Sequence, residues 1–250
     1  MNRPTFYGAI RPAFGGKLTP SQVSGMDAIL DAAEAEGLTD PHHVAFVLAN
    51  VRRETGSIMA PIKETVMAHH KDQNPSDAEV IRRLDAAFAK GQLPWVKSPY
   101  WRRGFFGRGQ IQITHEDNYR RFSPIVGVDL VKNRDKALVG AISAKIAVVG
   151  MRDGMFTGKA LADFSFPSAL DLPPSRNPRR IVTGADGSDG QVAGWHRQFY
   201  DALVKAGWGT PTKSPPTSHQ KPTNTAPAPG GLFVAIAAAV AAIAAYLGIK

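Results

Sequence analysis

The stretch that most constrains this chain is residues 40–65, DPHHVAFVLANVRRETGSIMAPIKET, which sets one glutamate at the end of an apolar helical pattern and a second ten residues later. Asp40 followed by Pro41 is an N-cap with the first helical residue, and Gly56 is a stop, so a helix is predicted between them. Val44, Val47, Leu48 and Val51 recur at helical spacing, and Glu54 continues the same stripe. A carboxyl on a core-facing stripe is costly to ionise. Desolvation raises its pKa toward the range in which a general acid holds its proton at neutral pH. Glu64 lies beside Lys63 in a segment opened by Pro61, where greater exposure and an adjacent cation are expected to keep it ionised. One proton donor and one base would result. The bland alternative makes Arg52, Arg53 and Glu54 the solvated last turn of a core helix.

With 250 residues and 43% hydrophobic content, the chain can bury one full-sized core and still spare residues for a tail. The main domain is assigned to residues 1–209. Residues 210–230 are rich in Pro, Thr, Ser and Ala, a composition that cannot collapse onto a core, and read as a linker. Residues 231–249, GLFVAIAAAVAAIAAYLGI, are uncharged and almost wholly apolar, which predicts a transmembrane helix acting as a tail anchor. The amino terminus has no apolar run long enough for a secretory signal, so export by a cleavable leader is not expected. Lys213 and Lys221 precede the apolar run and Lys250 follows it, which by the positive-inside rule places the main domain on the cytoplasmic side.

A formal net charge of +9 implies an anionic partner: nucleic acid, an acidic membrane surface or a bacterial wall. No basic helix with readable periodicity stands out, so nucleic acid is the weakest of these. The absence of cysteine excludes disulfides and thiolate metal sites. His42/His43 and His69/His70 are adjacent pairs without helical ligand spacing and read as solvated surface, so neither a metal nor a cofactor is expected.

Further helix signals run along the chain: Thr19 with Gln22, Ser76 with Glu79, Thr114 before Tyr119 and Phe122, an apolar pattern from Asp135 to Met151, and Ser188 with Gln191. Alternating strand patterns are scarce. The prediction is a mainly α domain with at most a short β-hairpin near Phe105–Thr114.

The stretch 101–119, WRRGFFGRGQIQITHEDNY, combines closely spaced glycines, flat aromatic faces at Phe105 and Phe106, and the uncharged hydrogen-bonding groups Gln112, Thr114 and Asn118. That inventory suits a carbohydrate cleft. In the order Glu, second Glu, then GRGQIQITHEDNY, the chain resembles the family 19 glycoside hydrolases, which include plant-type chitinases and phage endolysins. The resemblance spans about residues 11–208 and adds RRETGS and RRIVTGADG, with FGRGQIQIT the most specific piece. Arg53 stands where the family usually has His, and Thr183 where it usually has Asn.

The resemblance implies a lysozyme-like helical fold and inverting hydrolysis of a β-1,4 bond beside an N-acetylated sugar. Glu54 would protonate the leaving oxygen, Glu64 would activate water with help from Thr114, and Gln112, Asn118, Tyr119 and Phe106 would hold substrate. The expected protein is a monomeric endolysin acting on peptidoglycan glycan strands for host cell lysis. It would be held in the host cytoplasm at the inner membrane until it reaches the periplasmic wall. A chitinase, a lytic transglycosylase (E-T-G being similar to that group's E-S-G) and a non-catalytic wall-binding protein are the alternatives.

Overall fold

The computed structural model describes residues 1–66, 69, 71–184 and 186–209. Seven α-helices lie among them: α1 (Arg3–Ile10), α2 (Pro20–Ala35), α3 (Pro41–Glu54), α4 (Asp77–Ala89), α5 (Glu116–Val126), α6 (Gly140–Arg152) and α7 (Asp189–Lys205). Two short strands, β1 (Ile62–Lys63) and β2 (Arg108–Gly109), pair antiparallel with Ile62 opposite Gly109 and Lys63 opposite Arg108. The domain is mainly helical, as the scarcity of strand patterns predicts. Among the described residues no helix is long and apolar enough to cross a membrane. The linker and the anchor expected at 210–230 and 231–249 lie outside the described residues.

α3 is the axis of the fold. It packs against α7, α2 and α6, while α1 closes on α7. Asp40 caps it by accepting from the His42 amide at 2.7 Å, with Pro41 as its first residue. The predicted apolar stripe understates the burial, because every residue from Val44 to Glu54 is buried. A helix enclosed on all sides belongs to the core of a domain, and enclosure carries even Arg52, Arg53 and Glu54 inside. The alternative of a solvated last turn is excluded.

Other helix starts differ in how they are capped. Thr19 and Gln22 form both bonds of the capping box on α2. At α4 Ser76 accepts from the Glu79 amide, but the Glu79 carboxylate turns to Arg82 and Arg83. Thr114 does not cap α5: the N-cap is His115, which makes no side-chain cap bond. The expected helix from Asp135 begins instead as a short 3-10 helix, Arg134–Leu138, and becomes α6 only at Gly140. α1, capped by Asn2 on the Thr5 amide, was not predicted. The expected local hairpin is reduced to one bridge between Arg108 and Ile113, since β2 takes β1 as its partner.

His42 is not solvated surface. Its ring stacks on Tyr200 at 3.9 Å and lies parallel to the buried His196, whose pKa burial depresses to about 4. His43 is also half-buried, with its ring edge on Phe166.

Candidate active site

Glu54, the last residue of α3, is 2% exposed and meets Arg179 from the 3-10 helix Pro178–Ile181. The Arg179 guanidinium donates to Glu54 Oε1 at 2.5 Å, to Asp186 Oδ2 at 2.9 Å, to Asn50 Oδ1 at 2.6 Å and to Ser188 Oγ at 3.0 Å. Arg179 thus uses four of its five N–H groups on these partners, and it is fully buried. Asp186 also accepts from the Ser188 amide and hydroxyl, and Arg179 holds it below the usual carboxylate range despite the cost of burial. Glu54 goes the other way. Burial raises its pKa, Arg179 opposes the rise, and the Asp186 charge adds to it. Arg53 also acts on both carboxylates through space, and for Glu54 burial outweighs the two cations, so the net direction is upward.

Glu64 follows β1 and is also 2% exposed, contrary to the expectation of an exposed, lysine-flanked base. Alternation along the strand sends Lys63 elsewhere, to Asp77 at 2.8 Å, the Pro75 carbonyl at 3.0 Å and Asp135 at 3.5 Å. Glu64 instead accepts from the Gly107 amide at 2.7 Å through Oε2 and from the Tyr100 hydroxyl at 2.5 Å through Oε1. Its own amide donates to the Gly107 carbonyl at 2.7 Å. Burial pushes its pKa up, while the Gly107 amide, the Tyr100 hydroxyl and the charge of Arg108 pull it down.

The glycine-rich stretch anchors the connection between the two glutamates. Gln110 Nε2 donates to the Met59 carbonyl at 2.6 Å and to the Gly25 carbonyl at 3.1 Å. Gln112 Nε2 donates to the Ile62 carbonyl at 2.9 Å and to the Gly109 carbonyl at 2.7 Å. Gly25 is required here because a Cβ on it would collide with the Met59 backbone. At Gly107 a Cβ would come within 2.7 Å of Gln112 Oε1, so that side chain would have to shift.

Three of the residues expected to bind substrate are buried and engaged within the fold. Phe106 is 0% exposed, lies in a core cluster with Leu84 and Trp101, and has the Arg108 guanidinium over its ring at 3.8 Å, so no face is open to a sugar. Tyr119 is buried beside Phe122 and Ile146, its hydroxyl donating to the Phe106 carbonyl and accepting from Arg108. Gln112 is buried and spends its amide nitrogen on the backbone. Asn118 is half-buried, donating to the Thr114 carbonyl at 2.7 Å. Thr114 is buried with its hydroxyl donating to the Gln112 carbonyl at 3.0 Å.

Arg179, Asp186, Tyr100 and Gln110 were not singled out from the sequence. Arg179 and Asp186 fall inside RRIVTGADG, a signal for the segment but not for the contact; Tyr100 carries no periodic signal. Among the described residues no group of three or more His, Asp or Glu side chains could hold a metal.

No protein-family model matches the chain, and no curated protein does. Among solved structures it is similar to a crystal structure of a chitinase C mutant, at 18% identity and a TM-score of 0.49 over 82% of this chain and 76% of that one. A likeness of that degree carries no weight for the chemistry, which rests on the residues described above.

Proposed function

We propose that this chain is an endolysin of the family 19 glycoside hydrolase type with a lysozyme-like fold, a muramidase that hydrolyses β-1,4 bonds of bacterial peptidoglycan with inversion. The reading is carried by two equally buried glutamates in opposite company, joined by a segment that Gln110 and Gln112 bind to the GRGQIQIT stretch. Glu54 shares the Arg179 guanidinium with Asp186, and burial raises its pKa although Arg179 and Arg53 both oppose the rise, which suits it to hold a proton as the general acid. Glu64 receives two hydrogen-bond donors that favour its ionised form and acts as the base toward water. Thr114 uses its hydroxyl proton on Gln112 and retains oxygen lone pairs that can accept from that water. Asn118 is the remaining substrate-binding candidate.

A second reading, lytic transglycosylase, is favoured by the burial of Glu64, which raises its pKa and would suit chemistry that relies on Glu54 alone. Purified sacculi and chitin oligomers, each incubated with the full chain, separate the substrates. Clearing of sacculi with little release from chitin supports the endolysin, and the reverse result would make the protein a chitinase. Binding to sacculi without clearing would make it a wall-binding protein.

Residues 231–249 are proposed to tether the enzyme to the inner membrane, so that access to the wall depends on a membrane lesion. Truncation after Gly209 should then move the protein from the membrane fraction to the soluble one while clearing of purified sacculi persists. A truncated chain that still sediments with membranes would remove the tether.

A further inference from the structure

We infer that Tyr100 is a positioning residue for the base, a phenol seated by its neighbours so that its hydroxyl fixes Glu64 Oε1 and favours the carboxylate; this rests on Glu64 being the base. The hydroxyl donates to Glu64 Oε1 at 2.5 Å. Tyr100 opens a 3-10 helix, Tyr100–Arg103, whose next residue, Trp101, is fully buried and donates from its indole to Asp85 at 2.8 Å. The Trp101 ring meets the Tyr100 ring edge-on at 5.0 Å, and the His115 ring lies against it at 4.9 Å. His115 adopts a φ of 65° without being a glycine, a conformation that costs free energy and persists only where its surroundings enforce it. Its amide bond to the Phe105 carbonyl at 2.9 Å holds that backbone in place beneath the phenol. The tyrosine is thus wedged, and its hydroxyl has a defined direction.

Among the described residues the groups facing Glu64 are few. Tyr100 bonds Oε1, the Gly107 amide bonds Oε2, and Arg108 and Tyr119 act through space from β2 and α5. Lys63, the neighbouring cation in sequence, is bound to Asp77. His115, the titratable group against the phenol, is exposed at the surface, and partial desolvation lowers its pKa while the Asp117 charge opposes that. Tyr100 itself is raised well above its ordinary pKa by burial and by Glu64, so it remains a donor throughout the working range. Each carboxylate oxygen can accept more than one bond, so the phenol leaves Glu64 able to take a proton from water.

Removing the hydroxyl removes a donor from the ionised form, so the pKa of Glu64 rises and the acidic limb of the pH profile moves to higher pH. The basic limb, set by Glu54, stays in place. The test is the pH dependence of sacculus hydrolysis by the full chain as wild type, as Tyr100→Phe, and with fluorotyrosine incorporated at position 100, a more acidic phenol of nearly the same shape. For Tyr100→Phe the inference expects kcat to fall about tenfold, KM to change little, and the acidic limb to rise by about one pH unit. The fluorotyrosine protein should shift the same limb downward, and it reports even if Tyr100→Phe fails to fold. Unmoved acidic limbs in the folded variants would overturn the inference while leaving the hydrolase reading standing. Wild-type protein inactive on both sacculi and chitin oligomers would overturn the hydrolase reading, and the role of Tyr100 with it.

Discussion

At the end of α3, Glu54 shares the Arg179 guanidinium with Asp186, whereas Glu64, beyond β1, is held by a phenol and a backbone amide with no cation bonded to it among the described residues. Exposure is the same for both, so burial alone cannot give them different roles. The difference lies in what is already spoken for. Arg179 is a full positive charge that Asp186 also claims, and Arg53 acts on both carboxylates through space, yet burial still raises Glu54 while Asp186 is lowered. The donors on Glu64 are neutral but uncontested, and Arg108 adds positive potential from a short distance. In the proposed mechanism the residue with the cation is the acid and the residue without one is the base, the reverse of what a flanking lysine suggests.

Removing the shared cation should have the largest effect. Arg179→Met leaves two carboxylates and the Asn50 carbonyl facing each other in the core, and should cost about 3–5 kcal/mol in urea unfolding. A loss below about 1 kcal/mol would mean the cluster is not the buried unit described. Glu54→Gln should cut clearing of sacculi by about a hundredfold or more while the helical circular dichroism is retained, because an amide has no proton to give. Near-normal clearing by the folded variant would move the acid elsewhere. Glu64→Gln should be as damaging to hydrolysis, with partial recovery on adding a small anionic nucleophile; a transglycosylase would be spared.

Smaller changes sharpen the contrast. Asp186→Asn leaves Arg179 to Glu54 alone, so the Glu54 pKa falls and the basic limb of the activity profile should move down by about one pH unit. Stability offers a check on Glu64. Its folded-state pKa is raised above 4.5, so its contribution is fully present below that value and is lost as pH rises through the folded pKa. The stability of Glu64→Gln relative to wild type should therefore improve from acidic to neutral pH, and a flat difference would mean that Glu64 is not raised. Gln110→Ala should cost the least, about 1–2 kcal/mol, through the unpaired Met59 and Gly25 carbonyls.

The helices were legible because their signals are local: Asp40-Pro41, the Thr19–Gln22 box and the apolar spacing of α3 need no tertiary knowledge. The inward place of Glu54 was legible for the same reason, from its position on the stripe, whereas the burial of Glu64 was not, since its neighbour Lys63 turns to Asp77. Their partners were not legible either. Arg179 lies 125 residues from Glu54, and Gly107 lies 43 residues from Glu64, and no periodicity encodes contacts across such separations. The aromatics misled because a buried ring and a sugar platform have the same composition. Phe105 and Phe106 in fact enter separate core clusters, and the Arg108 guanidinium covers the Phe106 ring. Gln110 and Gln112 similarly have the chemistry to grip a sugar, but the fold brings backbone carbonyls within their reach: Met59 and Gly25 for Gln110, Ile62 and Gly109 for Gln112.

The central claim is that Glu64 delivers water to the bond that Glu54 protonates. It is tested most directly by digesting sacculi with the full chain in water enriched in heavy oxygen and weighing the released muropeptides by mass spectrometry. The account predicts reducing ends carrying one heavy oxygen, formed with inverted configuration by proton magnetic resonance at early times. Anhydro ends without label would contradict it, leaving Glu54 as an acid that works without a water-activating partner.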